Sequence, residues 1–384
     1  GDIKLGIRLA KLSLKLMEKY QSREWSSRVY VSVYGFCLSW TEPWRPLLKK
    51  LLVGHRLGLA GGDIEFSMLC AATHSSMSVH SGVNLEEVCS DSEAFLKMMS
   101  TYKQSNMMQF LRPNLQFAFN LSGRCQDPLV LNGEAMNFNE LLQQAVEEKN
   151  GTVEAVLYFI QLVLESYMLQ YDSAAKTAIK LGDHPSLNSF SPFATGPLCL
   201  HMGIVLAINS KNGKVSKANK WLKKLKVFAK HSSTSFMNKV HFVDAEMDVA
   251  KEKYDRAAIK YERSIECASL AGFWHEMGFA SERYAMLLQR IGKKEESLQR
   301  LEKTVHAYEK WGAKTKVQML QPSLQNLSHE LNQKQQVPHP PLEIPPKWKG
   351  GRTTSTGSKS TSSHNGQTTI TSTTAPTADT SEMG

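Results

Sequence analysis

Gln170-Tyr171-Asp172-Ser173-Ala174, Gly213-Lys214-Val215-Ser216-Lys217-Ala218, Lys253-Tyr254-Asp255-Arg256-Ala257 and Gly292-Lys293-Lys294-Glu295-Glu296-Ser297 lie over one another as four starts of one kind of helix. The small residue recurs at 174, 218, 257 and 297, in steps of 44, 39 and 40 residues. The last two copies align further, with Tyr261-Glu262-Arg263-Ser264-Ile265 over Leu301-Glu302-Lys303-Thr304-Val305. Packing explains the pattern. A small residue early in the second helix of a pair lets it approach the first, and a Gly or polar residue closes the turn before it. Self-similarity at a fixed step of this size marks stacked helix pairs, each burying its apolar face on its neighbours.

Working outward, helical periodicity continues to the beginning of the chain. Ile3, Ile7, Ala10, Leu14 and Met17 follow three-to-four spacing, with Lys4, Arg8, Lys11, Lys15 and Glu18 mostly opposite. Arg28–Trp40 is rich in Val, Tyr and Phe, but its flanks make it a buried helix rather than a strand, and Pro43 marks a new helix start. Breaks are expected near Gly61-Gly62, Ser81-Gly82, Arg112-Pro113, Asn150-Gly151, Gly182-Asp183, Asn212-Gly213, Ala271-Gly272 and Ile291-Gly292. Leu121–Asn139 and Leu181–Pro197 read as longer connections, the second carrying Pro185, Pro192 and Pro197. After about Gln336 the chain becomes Pro-rich and then rich in Ser, Thr and Gly, too poor in large apolar residues to offset its ordering entropy.

The expectation is an all-α fold: a TPR-like α-solenoid of antiparallel helix pairs over residues 1–335, clearest over 155–320, then a disordered tail over 336–384. Beginning at Gly1 rather than Met, the chain reads as a piece of a longer polypeptide.

Composition narrows the function classes. The six cysteines (Cys37, Cys70, Cys89, Cys125, Cys199 and Cys267) form no CxxC pair and are irregularly spaced. That argues against a zinc site and a disulfide framework, and fits a reducing, cytoplasmic setting. The most apolar stretch, Val153–Tyr171, is interrupted by Glu154, Gln161 and Glu165, so no membrane span is expected. None of the twelve histidines lies in HExxH or beside Cys at finger spacing. The run Gly351–Lys359 imitates a phosphate loop, but its glycines are one residue too far apart and Ser358 displaces the Lys. No catalytic, cofactor-binding or metal-ligating residue is therefore expected.

Net charge is +10, and Lys211–Lys239 carries nine Lys and no acid. Lys217, Lys220 and Lys224 share one side of a helix, with Trp221, Leu225 and Phe228 between the lysines. Lysines interleaved with an aromatic can bind RNA or an acidic surface, which makes Lys217, Lys220, Trp221 and Lys224 the candidate partner-binding residues. The competing reading, which is favoured, turns the apolar residues to the core and the lysines to water. The tail hydroxyls are open to phosphorylation, with no single site marked.

The last repeat carries Trp274-His275-Glu276, Ala280-Ser281-Glu282-Arg283-Tyr284 and Ala307-Tyr308-Glu309-Lys310-Trp311-Gly312-Ala313-Lys314-Thr315-Lys316-Val317. These residues resemble the end of the tetratricopeptide-like helical region of large signalling ATPases. Gly54–Ala60 with Gly62-Asp63, and Ser81–Leu85, are similar to earlier helix pairs of that region, so the resemblance spans about 1–320. It implies a kinase-like domain and an AAA-type NTPase upstream and a histidine kinase, cyclase or sensor downstream. The NTPase residues would lie outside this chain. The function expected is a non-catalytic scaffold whose partner is another protein or a neighbouring domain, with the concave face as the binding surface. RNA or an acidic surface bound through Lys217–Lys230 is the alternative.

Overall fold

Small residues at the outer-helix starts set the spacing of the whole assembly. In a computed structural model, which describes residues 2–335, Ala174, Ala218, Ala257 and Ser297 all lie within the first turn of a helix and are fully buried. Ser297 Oγ also donates to the Ala285 carbonyl of the preceding helix at 2.9 Å.

Sixteen α-helices are present among the described residues. They are α1 (Ile3–Tyr20), α2 (Ser26–Tyr30), α3 (Trp44–Gly61), α4 (Ile64–His80), α5 (Leu85–Thr101), α6 (Ser105–Ser122), α7 (Phe138–Glu147) and α8 (Gly151–Tyr167). Then follow α9 (Tyr171–Gly182), α10 (Pro192–Ile208), α11 (Ser216–Ala229), α12 (Ser233–Ala250), α13 (Tyr254–Ala271), α14 (Trp274–Arg290), α15 (Lys294–Trp311) and α16 (Lys314–Gln335). The described residues hold no strand, only an isolated bridge between Asn132 and Asn137 in the long α6–α7 connection. Short turns make successive helices antiparallel neighbours, and the fold is an α-solenoid of helix pairs. The stretch after α2 stays helical, as widened π-helical turns over Val31–Cys37 and a tight turn over Leu38–Trp40. No described helix is long and apolar enough to cross a membrane.

The helices sort into two layers. α5, α7, α9, α11, α13 and α15 bury one stripe each and form the outer layer. α4, α6, α8, α10, α12 and α14 are buried along most of their length and form the inner layer. Close approach is built in where inner helices meet their neighbours. A Cβ at Gly278 would sit 2.7 Å from the Tyr308 ring, and one at Gly203 2.7 Å from Val243.

Burial also overrides two expected breaks. Pro113 lies inside α6 and Pro197 inside α10, so the chain does not turn at Arg112-Pro113 and the second long connection ends at Ser191. An interior proline costs about 3 kcal/mol of helix stability. Both helices bury most of their side chains, and that gain outweighs the loss of one backbone hydrogen bond each. The expected tail over 336–384 and the phosphate-loop imitation within it lie outside the described residues.

Candidate interaction surfaces

The concave face of a solenoid is where a partner is normally held, and here distant helix pairs also contact one another directly. Arg45 donates to the Ser81 and Gly82 carbonyls of the α4–α5 turn and to the Gly272 carbonyl of the α13–α14 turn. Trp44 meets Phe236 edge-on and Phe273 at a tilt, at 5.7 and 5.5 Å between ring centroids. The first pairs thus rest directly on the last ones.

The Trp-Gly-Ala run is the other half of this closure. Gly312 takes a left-handed conformation (φ +84°) that ends α15 and turns the backbone against Asn84, where a Cβ would meet the Asn84 side chain at 3.1 Å. Asn84 donates to the Lys310 carbonyl, Lys314 pairs with Glu86 at 2.7 Å, and Thr315 Oγ1 donates to the Asn120 carbonyl at 2.7 Å. Trp311 is fully buried against Phe117, Tyr167 and His275. The most distinctive run of the sequence is a clasp between the last helix pair and α4–α8.

At the centre lie two buried ion pairs. Lys316 Nζ reaches Glu282 at 2.8 Å and the Tyr167 carbonyl at 2.6 Å, and Tyr308 donates to the other Glu282 oxygen at 2.7 Å. Lys239 Nζ reaches Glu276 at 2.8 Å, with Asn238 as a further donor to the same carboxylate. Burial pushes the Lys239 ammonium down, and Glu276 opposes that push. Lys239 therefore does not belong to the basic surface stripe in which the sequence places it. His80, His201 and His275 converge here around a space of about 10 Å³. Burial, and after it the neighbouring charges, drives His80 and His201 each down to about 3. Among the described residues no group of three or more His, Cys, Asp or Glu is placed to hold a metal ion. Burial pushes the Cys70 and Cys199 thiols up to about 12 and Cys89 to about 11, so they stay protonated.

An apolar cleft of about 230 Å³ opens among the inner helices. Its wall is built from Phe36 of the π-helical segment, Phe110 and Asn114 of α6, Phe159 of α8, and Phe190 and Phe193 where the chain enters α10, with α4 behind. Asn114 Nδ2 donates to the Phe110 carbonyl at 3.1 Å, while its buried Oδ1 accepts nothing. The cleft is missed by a reading of periodicity because its residues come from four separate helix pairs.

The basic helix is α11. Lys217, Lys220, Lys223, Lys224, Lys226 and Lys230 are exposed, and none forms an ion pair among the described residues. Trp221 is only 4 % exposed, with Leu225 fully buried and Phe228 half-buried. Lys224 lies over the Trp221 ring at 4.6 Å from its centroid, capping an aromatic that faces the core. The aromatic leaves the surface, and a solvated lysine face remains.

No protein-family model and no curated protein matches the chain. Among solved structures it is similar to a circular tandem repeat protein with novel repeat topology and enhanced subunit contact surfaces, at 13 % identity. That match covers 86 % of this chain and 89 % of the other, with a TM-score of 0.23, too low for the likeness to bear on function.

Proposed function

We propose that the chain is a non-catalytic helical-repeat scaffold for protein–protein interaction or intramolecular regulation. The observation that carries this reading is the cleft. It is an apolar opening among the inner helices, and its Phe-lined wall suits one large apolar anchor side chain of a partner, the kind of contact that dominates interface energetics. The unsatisfied Asn114 Oδ1 would accept a hydrogen bond from an anchor that carries a donor, such as the indole N–H of a tryptophan. The resemblance of the last repeat is the ground for reading the scaffold as part of a signalling ATPase or kinase, and the six unpaired cysteines fit a cytoplasmic location.

A peptide display library selected on the purified chain tests this. Selection should converge on peptides with a single aromatic or leucine anchor, and Ala194→Phe, which fills the cleft, should abolish their binding while the far-ultraviolet spectrum stays unchanged. Convergent peptides indifferent to Ala194→Phe would refute the cleft as the site.

The second reading, binding of RNA or an acidic surface through Lys217–Lys230, is favoured by the six exposed lysines of α11 and its C-cap, none in an ion pair among the described residues. It requires a salt-dependent affinity for single-stranded RNA that disappears on joint reversal of Lys217, Lys220 and Lys224 to Glu. No RNA binding at low salt removes it.

A further inference from the structure

The first and last described helices present different exposed faces. The exposed residues of α16 are mostly polar, Gln318, Gln321, Gln325, Asn326, His329 and Glu330 among them, with Met319 and Pro322 the apolar exceptions. α1 exposes apolar as well as charged residues. Its Ile3–Met17 stripe turns toward the chain, with Ala10 buried beside Val33 and Leu38 and with Ile7 and Leu14 packed against them. A second apolar row, Leu5, Leu9, Leu12 and Leu16, stands between 43 and 56 % exposed, and Tyr20 beyond it is more exposed still. The spacing of four, three and four residues keeps the row on one face, as in the seam of two packed helices.

The flank of this row is charged with one sign. At 3.6 residues per turn, Lys19, Arg8 and Lys15 border Leu12, and Lys4 and Lys11 continue the arc. All five are exposed and none forms an ion pair among the described residues. The one acidic residue within the helix, Glu18, lies at the far edge of that arc, beside the buried stripe.

We propose that the exposed face of α1 receives an amphipathic helix with a leucine-type seam and an acidic flank, added as one more layer of the stack. Charge complementarity selects this occupant. A second copy docked antiparallel through the same face would set five cations against five, and like charges across a seam repel. An anionic membrane would satisfy the lysines, but a helix lying in a bilayer interface needs a broad free apolar face. α1 is held to the chain by one of its apolar stripes and offers only a single row, the width of a helix seam. This inference rests on the scaffold reading but not on the cleft.

The test uses the full chain and two synthetic helical peptides with the same leucine seam, one flanked by Glu and one by Lys, read by fluorescence anisotropy. The Glu peptide should bind about tenfold more tightly than the Lys peptide at low salt, with the preference shrinking as salt rises. The double substitution Leu9→Ser and Leu12→Ser should abolish binding with an unchanged circular dichroism spectrum, because both side chains are exposed. Ala194→Phe should leave it intact, which separates this face from the cleft. Equal binding of the two peptides, or none, overturns the proposal. So does dimerisation of the chain alone that is lost with Leu9→Ser and Leu12→Ser. Binding to phosphatidylserine vesicles without binding to the Glu peptide overturns it in favour of a membrane.

Discussion

α13 and α14 are consecutive helices of nearly equal length, built on opposite rules. α13 buries Ala257, Tyr261, Ser264, Ile265 and Ala268, a single stripe, and leaves its other faces to water. α14 buries His275, Glu276, Gly278, Phe279, Glu282, Tyr284 and Leu288 among others, leaving only Met286 and its last residues, Gln289 and Arg290, exposed. The outer helix needs only to be amphipathic. The inner helix touches its own partner on one side and distant pairs on the other, so each polar residue on it must find a buried partner or go unsatisfied. The layers should therefore respond very differently to protons and to substitution.

The largest contrast is expected with pH, because the inner layer holds buried histidines. His74 in α4 is pushed down to about 4, by burial first and then by His55, while His80 and His201 fall to about 3. These imidazoles are neutral in the folded chain and protonate freely once it unfolds. Their contribution is complete above about pH 6.5, the ordinary histidine value, and is lost as pH falls from there toward 4. Each should cost roughly 2 kcal/mol between pH 7 and pH 5. Urea midpoints measured at pH 7, 6 and 5 should fall steeply, and a flat series would show that the inner layer opens to water without unfolding.

Next in size is the loss of one buried charge. Glu282→Ala would leave the Lys316 ammonium without its carboxylate and the Tyr308 hydroxyl without its acceptor. Removing one partner of a buried pair costs about 3–5 kcal/mol. Denaturant titration at pH 7 measures this, and the further substitution Lys316→Met should recover much of the loss by removing the stranded charge. If Glu282→Ala costs under about 1 kcal/mol, the pair is solvated and the closure of the solenoid on itself is looser than its geometry.

These same residues show how far the sequence could be read. The outer layer was legible: its helix starts carry the repeated small residue, and Ala174, Ala218, Ala257 and Ser297 are the buried contacts that the spacing requires. The inner layer was legible as helix but not in its role. Lys239 sits in a run of lysines and looks like surface, yet it is fully buried, because Glu276, 37 residues away, meets it in the core. Lys316 reaches the Tyr167 carbonyl 149 residues away. Pairing at such separation leaves no local pattern. The Tyr-x-x-Trp-Gly-Ala run stood out by type, but its work as a clasp depends on Asn84, Glu86 and Asn120, which nothing in the run indicates. The cleft was hidden for the same reason, and Trp221 was ambiguous because an amphipathic basic helix has one pattern whichever side faces water.

The smallest effect belongs to the outer layer and sharpens the contrast from the other side. Leu270, near the end of α13, is 83 % exposed. By composition alone it matches Leu288 of α14, which is buried. Leu270→Ser removes almost no packed surface, so its effect should stay within about 0.5 kcal/mol, the range of surface substitutions away from special features. Leu288→Ser strips a packed side chain and leaves a hydroxyl in an apolar site, at a cost of several kcal/mol. Thermal melts of the two variants side by side compare the same substitution in adjacent helices. If Leu270→Ser also destabilises by 2 kcal/mol or more (~2, against the surface range above), then α13 buries its outward face on something further, and the outer layer is itself an interface.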